Sequence, residues 1–582
     1  MSAAPDTSDS VDAATAATSA PDSRPFVESR QAAAASAGAT GPTGPAGALG
    51  NEGSATPTSA STWSVLRHGA FRGLWVGAGI YFIGNAMQSM AAAWMMVEIT
   101  GSAFFAALVQ TAVFLPMFLL VLPAGVLADI TDRRRLLLMS LVVQVLAGSV
   151  LAALSIAHLA GPTTLLLLIF VTGCCTALLS PAWNSTINDT LPRSELPAGI
   201  TANGISYNAA RALGPALAGL VFTYAGGAWN FVLAVIGTLV MLWSIRRWPP
   251  RPHPVSPLPA ERLWGGILSA LRFARHSKRV LAQLVRTVAY SFTGSALWAL
   301  LPAIGQQRLD LDASGFGFLM GCLGIGAIGA GLAIGRIRAK MALDTLVAVG
   351  CVLYAAAMLA AAWSPWPALV YPALVLAGAA WMAVMSTFNT ATQTSAPPWV
   401  RSRAVALHTL CALGSFALGS ALWGGLSDVF GLSMALSAGA AGMTAGALLG
   451  RPFPLRMGRA QDVIPAKPWD DLHMIPDEPA PEAGPVSVEI GYRIKADQTA
   501  AFLEAVTQLR APRRRDGATL WRLYRDLADP SRYVERFIVT SWGDYLRQRA
   551  RSTQADQLIE ARVRAFLQPG EVSTMTHYVA ER

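Results

Sequence analysis

Residues 125–135 read GVLADITDRRR, and residues 330–340, found 205 positions later, read AGLAIGRIRAK. Small, apolar and basic residues recur in the same order in both stretches, so that Leu127 corresponds to Leu332 and Arg133 to Arg338. The same offset aligns further pairs, which are Asn184 with Asn389, Pro192 with Pro397, Gly214 with Gly419 and Gly219 with Gly424. A repeat of this length predicts two structurally matching halves.

The composition indicates that both halves lie in a membrane. The chain has 582 residues, of which 53% are hydrophobic and 13% charged, and its mean hydropathy is +0.43. Soluble domains carry about 25% charged residues. Apolar runs extend from about residue 71 to 449, and about 20 apolar residues span a bilayer core as a helix. The alternating segments of a membrane barrel are not seen.

We therefore expect an all-α membrane bundle of twelve transmembrane helices in two six-helix repeats, followed by a small α+β domain. The spans are centred near Tyr81, Phe114, Ala147, Ile169, Ala216, Ile236, Trp298, Ala327, Tyr354, Val375, Phe416 and Ala440. The predicted domains are a disordered tail (1–62), a bundle (63–452, with halves of about 63–247 and 285–452 and a basic loop of 248–284), a Pro-rich linker (453–484) and a C-terminal domain (485–582).

The charge distribution predicts the orientation. Lys and Arg are concentrated in alternate joins, as in Arg133–Arg135 and in the loop from Arg246 to Arg286, and basic joins remain in the cytoplasm. We expect a multi-pass inner-membrane protein with both termini in the cytoplasm. The net charge of +10 is thus explained by topology, and no nucleic-acid partner is expected. Within the loop, residues 263–279 have the pattern of an amphipathic basic helix suited to the headgroup surface.

The loop of residues 125–135 resembles the signature loop of the major facilitator superfamily. The resemblance rests on Gly125, Leu127, Ala128, Asp129, Arg133 and Arg134. It implies that Gly125, Asp129, Arg133 and Arg134 take part in a charge–dipole latch that closes the cytoplasmic side. The chain departs from the pattern at Ile130 and Asp132. The alternative is a loop that only fixes topology.

Residues 181–219, PAWNSTINDTLPRSELPAGITANGISYNAARALGPALAG, resemble the enterobactin-exporter-like (transmembrane secretion effector) subfamily of that superfamily. Arg211 in this stretch is costly in lipid, so we expect it to face protein or water and to contribute to a substrate path.

A polar stripe on the first helix of each half is the second part of the predicted path. Tyr81, Asn85 and Gln88 share one helix face, and the repeat places them on Arg286, Tyr290 and Thr293. Such side chains usually face a bundle interior or an aqueous cavity. We expect the six to line a substrate path between the halves, with interhelical hydrogen bonding as the alternative.

Energy coupling has a single candidate. Glu98, Asp129, Asp344 and Asp428 lie near the ends of their spans, whereas His408 lies inside one. A histidine can carry a proton near neutral pH, so His408 is the predicted proton relay, with helix–helix hydrogen bonding as the alternative. No Gly-Lys-Ser/Thr phosphate-binding motif is seen, and no metal or cofactor is expected.

The C-terminal domain has the predicted order βαββαβ, a ferredoxin-like arrangement. By pattern it resembles small antibiotic-biosynthesis-monooxygenase-type domains. His577 stands isolated in the sequence and no convergent catalytic set is seen, so we expect a dimerising or regulatory domain that gives a homodimer, and no catalytic residues.

Together these patterns predict a proton-driven exporter of a small organic molecule, a siderophore-like metabolite or a drug, that works by alternating access. Importers of the same fold are the first alternative. The second is a membrane-tethered enzyme or sensor whose C-terminal domain is the active part.

Overall fold

The computed structural model describes residues 62–192, 195–248, 263–466 and 478–581. The predicted tail (1–62) therefore lies outside the described residues except for Thr62. The same holds for the Pro-rich start of the basic loop (249–262) and for part of the linker (467–477).

Twelve long helices and one amphipathic helix make up the described bundle. The N-terminal half has α1 (Gly69–Thr100), α2 (Ala103–Ile130), α3 (Arg133–Ile156), α4 (Pro162–Thr190), α5 (Leu196–Ala225) and α6 (Gly227–Arg247). After α7 (Leu263–His276), the C-terminal half has α8 (Lys278–Ala303), α9 (Ala313–Lys340), α10 (Leu343–Trp363), α11 (Pro367–Ser395), α12 (Arg401–Phe430) and α13 (Leu432–Leu448).

Nine of the described helices are long and apolar enough to cross a membrane, namely α2, α3, α4, α6 and α8–α12. Three further helices fall outside that criterion. Helix α1 carries the predicted polar stripe and Glu98, α5 carries Arg211, and α13 has only 17 residues. All twelve predicted span centres lie within these helices.

The sequence sets the helix ends by capping. The side chains of Ser102, Asp132 and Asp312 accept hydrogen bonds from backbone N–H groups in the first turns of α2, α3 and α9, which satisfies donors that have no intrahelical partner. Asp132, where the superfamily pattern has glycine, thus has a structural role. Helices α5 and α12 end at Gly226 and Gly431, which have φ angles of +92° and +86°, a conformation that favours glycine.

One face of helix α7 packs against protein. Phe273 and Ala274 are buried in a cluster with Val400 and Ala404 at the start of α12, and the Phe273 ring lies 5.7 Å from the Trp399 ring. Of the predicted apolar face, Ala274 thus packs against protein, and the interfacial position of the helix stays a prediction. Leu268 and Leu271 remain exposed.

The C-terminal domain contains a four-stranded antiparallel sheet in the order β2-β3-β1-β4. Its strands are β1 (Val486–Arg493), β2 (Leu520–Arg525), β3 (Arg532–Val539) and β4 (Thr574–Val579). A short helix in the linker, α14 (Ala460–Val463), precedes them, and α15 (Thr499–Thr507), α16 (Arg510–Asp516), α17 (Trp542–Arg551) and α18 (Gln554–Arg564) connect them. Alternate β1 residues such as Val486, Val488 and Ile490 are buried against Phe502 and Val563 from the helices. This element order agrees with the predicted βαββαβ pattern.

Candidate functional site between the two halves

The two halves contact each other where α1, α5, α8 and α12 end and where α2 and α9 begin, which we call the closed end. Ser102 Oγ donates to Asp428 Oδ2 at 2.7 Å, and Thr223 Oγ1 donates to Asp312 Oδ2 at 3.5 Å. Gln307 Nε2 also donates to the Gly101 carbonyl at 2.8 Å. Each of these bonds joins one half to the other.

Glycines allow the helices of the closed end to approach to backbone contact. A Cβ atom at Gly219 of α5 would lie 2.5 Å from the Ala313 carbonyl oxygen and 3.1 Å from Gly317 Cα, both in α9. A Cβ atom at Gly424 of α12 would lie 2.5 Å from Ala107 Cβ in α2. Small residues at such crossings are a general device of membrane helix packing.

The contacts of these two helix pairs continue to about mid-length. Phe118 of α2 lies against Gly414 of α12, and Ala212 of α5 lies against Gly324 of α9. Towards the opposite end, which we call the open end, several polar side chains on α4, α5, α11 and α12 are exposed: Asn184, Asn208, Arg211, Gln393 and Thr409. Polar side chains at membrane depth usually face water or a bundle interior, so these faces are candidates for the wall of an aqueous path between the halves.

A series of contacts between Arg211 and aromatic side chains crosses between the halves. Arg211 Cζ lies 5.4 Å from the ring centroid of Trp298 in the other half. Trp298 and Phe416 each lie close to Trp381, at 6.3 Å and 5.9 Å between ring centroids, and Phe416 contacts Phe114 of the N-terminal half at 4.8 Å. We call these five residues the aromatic bridge. Its faces and its guanidinium suit a flat, electron-rich molecule.

The polar stripe of α1 lies inside the N-terminal half. Tyr81 donates to Gln144 Oε1 at 3.2 Å and accepts from Asn85 at 3.3 Å, and Gln88 donates to Thr172 at 3.4 Å. Tyr81 and Gln88 are buried. The structure thus brings the three predicted residues together, with α3 and α4 as their neighbours.

The matching stripe of α8 lies mainly inside the C-terminal half. Arg286 forms an ion pair with Asp344 at the start of α10 and donates to the Phe453 carbonyl at 3.4 Å. Its side chain is only 2% exposed. Arg286, Tyr290 and Thr293 line a small pocket that α10, α11 and α13 complete. Tyr290 also reaches the aromatic bridge, because its ring lies 5.4 Å from Trp381.

His408 is buried in α12, and its Nδ1 lies 3.2 Å from Thr287 Oγ1 of α8. This contact is adjacent to the Arg286–Asp344 pair along α8, since Thr287 follows Arg286 directly. Of its predicted roles, the helix–helix hydrogen bond is therefore present in the structure, and the proton relay stays a prediction.

Of the predicted gating residues, Arg133 and Arg134 have side chains that the structure describes. Gly125 and Asp129 belong to α2, and the Asp129 side chain lies outside the described part of the structure. Arg133 forms an ion pair with Asp189 of α4 at 3.3 Å. Arg134 donates to the Arg246 carbonyl at the end of α6 at 2.5 Å. Both arginines tie the loop to its own half.

His577 is not isolated, contrary to the sequence-based expectation. Its Nε2 lies 2.6 Å from the hydroxyl of Tyr545, and its ring contacts Trp542 at 5.8 Å. The C-terminal domain also contains a group of buried ion pairs, in which Arg513 pairs with Glu535 and Glu560, and Arg515 pairs with Asp516 and Asp556. Both groups bring together residues from segments that lie far apart in the sequence, so the sequence alone does not show them. In the described parts of the chain, no group of three or more His, Cys, Asp or Glu side chains is placed to hold a metal ion.

The model of the transmembrane secretion effector family matches residues 60–582, which include the C-terminal domain. The chain belongs to the transmembrane secretion effector family. The protein is therefore a transporter of the major facilitator superfamily, with several apolar membrane helices. This transporter is 28% identical over 366 residues to the multidrug efflux pump Tap of Mycobacterium tuberculosis (strain ATCC 25618 / H37Rv), a match that covers 60% of the chain and 85% of the pump.

A second relative is the enterobactin exporter EntS of Salmonella typhimurium, 26% identical over 368 residues, with 62% of the chain and 86% of the exporter covered. Among solved structures, the nucleoside transporter NupG has a TM-score of 0.55 at 11% identity and covers 66% of the chain and 100% of NupG. A bacterial homologue of the human lysosomal transporter Spinster, solved in an inward-facing and unoccupied conformation, has a TM-score of 0.50 at 17% identity, with 66% and 94% covered. These structural likenesses show the fold of the transporter.

Proposed function

We propose that the transporter exports a small organic molecule, a siderophore-like metabolite or a drug, across the inner membrane by alternating access, driven by protons. The contact pattern between the halves carries this proposal. At one end the halves are joined by hydrogen bonds and glycine contacts, and exposed polar side chains lie towards the other end. The names of the relatives Tap and EntS support export and these two substrate classes.

Twelve membrane spans in two six-helix repeats are part of the proposal, and the helix starts support it. Helices α4, α5 and α6 precede α11, α12 and α13 by the offset of the sequence repeat. Helices α2 and α3, however, precede α9 and α10 by an offset that is five positions longer. With this longer offset, Asp132 corresponds to Ala342. A single fixed offset therefore misaligns the loop of residues 125–135.

The closed end supports the same internal symmetry. Thr223 corresponds to Asp428 by the repeat offset, and Ser102 corresponds to Asp312 by the longer offset. The Thr223–Asp312 and Asp428–Ser102 hydrogen bonds are therefore equivalent. In the same way Gly219 corresponds to Gly424 and Ala107 to Gly317, so the Gly219–Gly317 and Gly424–Ala107 contacts are also equivalent. Equivalent contacts on both sides of a bundle allow one end to close as a unit while the other opens.

The positions of the basic residues support the orientation. Arg133–Arg135, Arg246, Arg338 and Arg401 lie at the open end, and basic joins favour the cytoplasm. We propose that the open end faces the cytoplasm, that both termini lie there, and that the described conformation is the one that receives substrate for export.

The aromatic bridge and the two polar stripes form the proposed substrate path. Arg211 and Trp298 provide a cation and a large ring across the halves at 5.4 Å. Tyr290 connects the α8 stripe to Trp381, and the α1 stripe of Tyr81, Asn85 and Gln88 supports the opposite wall. An aromatic molecule with anionic or acceptor groups, such as a catecholate, fits this combination.

Proton coupling has two proposed carriers in the C-terminal half. His408 was expected from the sequence. Asp344 is the second, because it pairs with the buried Arg286 and accepts from the backbone N–H of Leu455 at 3.1 Å.

The function is tested by efflux from cells that contain the protein, with ethidium and enterobactin as the two probes. We expect efflux of at least one probe that stops when a protonophore dissipates the proton gradient. Arg211→Gln should reduce this efflux, whereas Arg247→Gln should not, since Arg247 stacks on Trp243 at the end of α6. Efflux of neither probe above the level of cells without the protein would contradict the proposed substrate classes.

Deletion of residues 470–582 separates this function from a tethered enzyme or sensor. We expect partial efflux to remain, because the closed end and the aromatic bridge lie in the bundle. Complete loss of efflux from a correctly inserted bundle would favour the C-terminal domain as the active part. A homodimer through that domain also remains a prediction, and the molar mass of the purified transporter tests it.

A further inference from the structure

The start of α2 is capped in part by the other half of the bundle. Like every α-helix, α2 begins with backbone N–H groups that have no intrahelical partner. Its N-cap residue, Ser102, accepts a hydrogen bond from the Phe105 N–H at 3.4 Å. The Phe104 N–H donates instead to Asp428 Oδ1 of α12 at 3.2 Å, and Ser102 Oγ donates to Asp428 Oδ2 at 2.7 Å. Both oxygens of the Asp428 carboxylate are therefore bound to the first turn of α2.

The charge of Asp428 favours this contact between the halves. The N-terminus of a helix carries a partial positive charge, and a carboxylate that accepts hydrogen bonds there is stabilised. Asp428 itself lies in the last turn of α12, where the partial charge of its own helix is negative. Its carboxylate is thus unfavourable within α12 and favourable against α2, so separation of the two helices costs free energy.

The equivalent contact on the other side of the closed end is built differently. There the carboxylate is the N-cap residue itself, since Asp312 Oδ1 accepts from the Gly315 N–H of its own helix at 2.8 Å. The hydroxyl of Thr223 provides the bond between the halves, at 3.5 Å. When the closed end opens, Asp312 stays with α9 and keeps its interaction with the helix N-terminus, whereas Asp428 loses its interaction with α2. Of the two equivalent contacts, the one at Asp428 therefore opposes opening more strongly.

We propose that Asp428 is a gating residue whose carboxylate, together with the N-terminus of α2, forms an electrostatic latch that holds the closed end shut. We call it the closed-end latch. The proposal rests on the proposed alternating access and adds a residue that favours the conformation that receives substrate. The closed-end latch is separate from the latch predicted at Asp129, because Asp129 lies at the opposite end of α2.

Double electron–electron resonance on the purified full-length transporter in nanodiscs tests the closed-end latch. Spin labels are attached at Leu159→Cys and Trp366→Cys, which lie at the closed end in opposite halves, after the five native cysteines have been replaced. Asp428→Asn removes the charge and keeps the size of the side chain. We expect the ratio of the longer-distance to the shorter-distance population to rise by about two- to fivefold, the range for a carboxylate at an exposed helix N-terminus.

Thr223→Val, at the equivalent position of α5, is the matched control. It should leave the ratio unchanged, because Asp312 keeps its bond to the Gly315 N–H. The label distances do not depend on which molecule is exported or on the driving ion. A failure of the closed-end latch is therefore distinguishable from a failure of the proposed function.

An exchange variant separates the charge from its position. Ser102→Asp combined with Asp428→Thr gives the α2–α12 contact the arrangement of the α5–α9 contact. Helix α2 then has an N-cap carboxylate of its own, and α12 no longer carries the charge. We expect this variant to open as Asp428→Asn does, with a melting temperature near that of the wild type. A wild-type ratio in either Asp428 variant, or an equal rise in Thr223→Val, would overturn the proposal.

Discussion

Gly219→Ala is expected to shift the transporter away from the conformation described here. The new Cβ would lie 2.5 Å from the Ala313 carbonyl oxygen and 3.1 Å from Gly317 Cα. Both are backbone atoms, so no rotamer change can relieve the overlap. Since ordinary contacts of a Cβ atom lie at 3.4 Å or more, α5 and α9 must separate by several tenths of an ångström at the closed end.

Overpacking of this kind costs about 1–3 kcal/mol. The cost falls only on conformations in which the closed end is closed, so the ratio of open to closed molecules should rise by about 5–150-fold. The substitution also improves helix propensity by about 1 kcal/mol. Gly204→Ala is the matched control, because it lies on the same helix and gains the same helix propensity. Its new Cβ has no atom within 4 Å and therefore causes no overlap.

The ratio is measured by double electron–electron resonance between spin labels at the closed end. Leu159, after α3, and Trp366, before α11, are both highly exposed and belong to opposite halves. Labels are attached to Leu159→Cys and Trp366→Cys after the five native cysteines have been replaced. We expect a longer-distance population in Gly219→Ala that is small in the wild type and in Gly204→Ala. Identical distance distributions in all three proteins would refute the reasoning.

Two further predictions concern coupling and gating. His408→Gln should abolish the dependence of efflux on the pH gradient if His408 relays protons, whereas unchanged coupling, measured in energised vesicles, assigns it to its hydrogen bond with Thr287. Asp129→Asn should strongly reduce efflux without reducing membrane insertion, measured by immunoblot, and wild-type efflux would exclude the latch at Asp129.

The nine described helices that are long and apolar enough to cross a membrane were predictable because each contains a long apolar run. The βαββαβ domain was predictable because Val486, Val488 and Ile490 alternate with polar residues. The mutual position of the halves was not, since it depends on contacts between residues far apart in the chain, such as Gly219 with Gly317 and Ser102 with Asp428.

The candidate sites illustrate the same limit. Helical spacing predicted the stripe of Tyr81 and the repeat offset predicted that of Arg286, but neither identifies the neighbouring helix. Trp381 was missed for the same reason, because one tryptophan in an apolar run gives no signal until Trp298 and Phe416 lie beside it. Arg286 carried a usable signal, since a buried cation requires an anion and Asp344 begins a helix of the same half.

The most direct test of alternating-access export compares the metabolites that cells release. Untargeted metabolite analysis is applied to the culture media and cell extracts of three cultures. The cells lack the protein, contain the wild-type protein, or contain a protein whose closed end is held shut by a disulfide between Ser102→Cys and Asp428→Cys. Our account predicts at least one small organic molecule that moves from cells to medium only with the wild-type protein, and that returns to the medium when the locked protein is reduced. The same profile in all three cultures, or export that persists with the closed end locked, would contradict it.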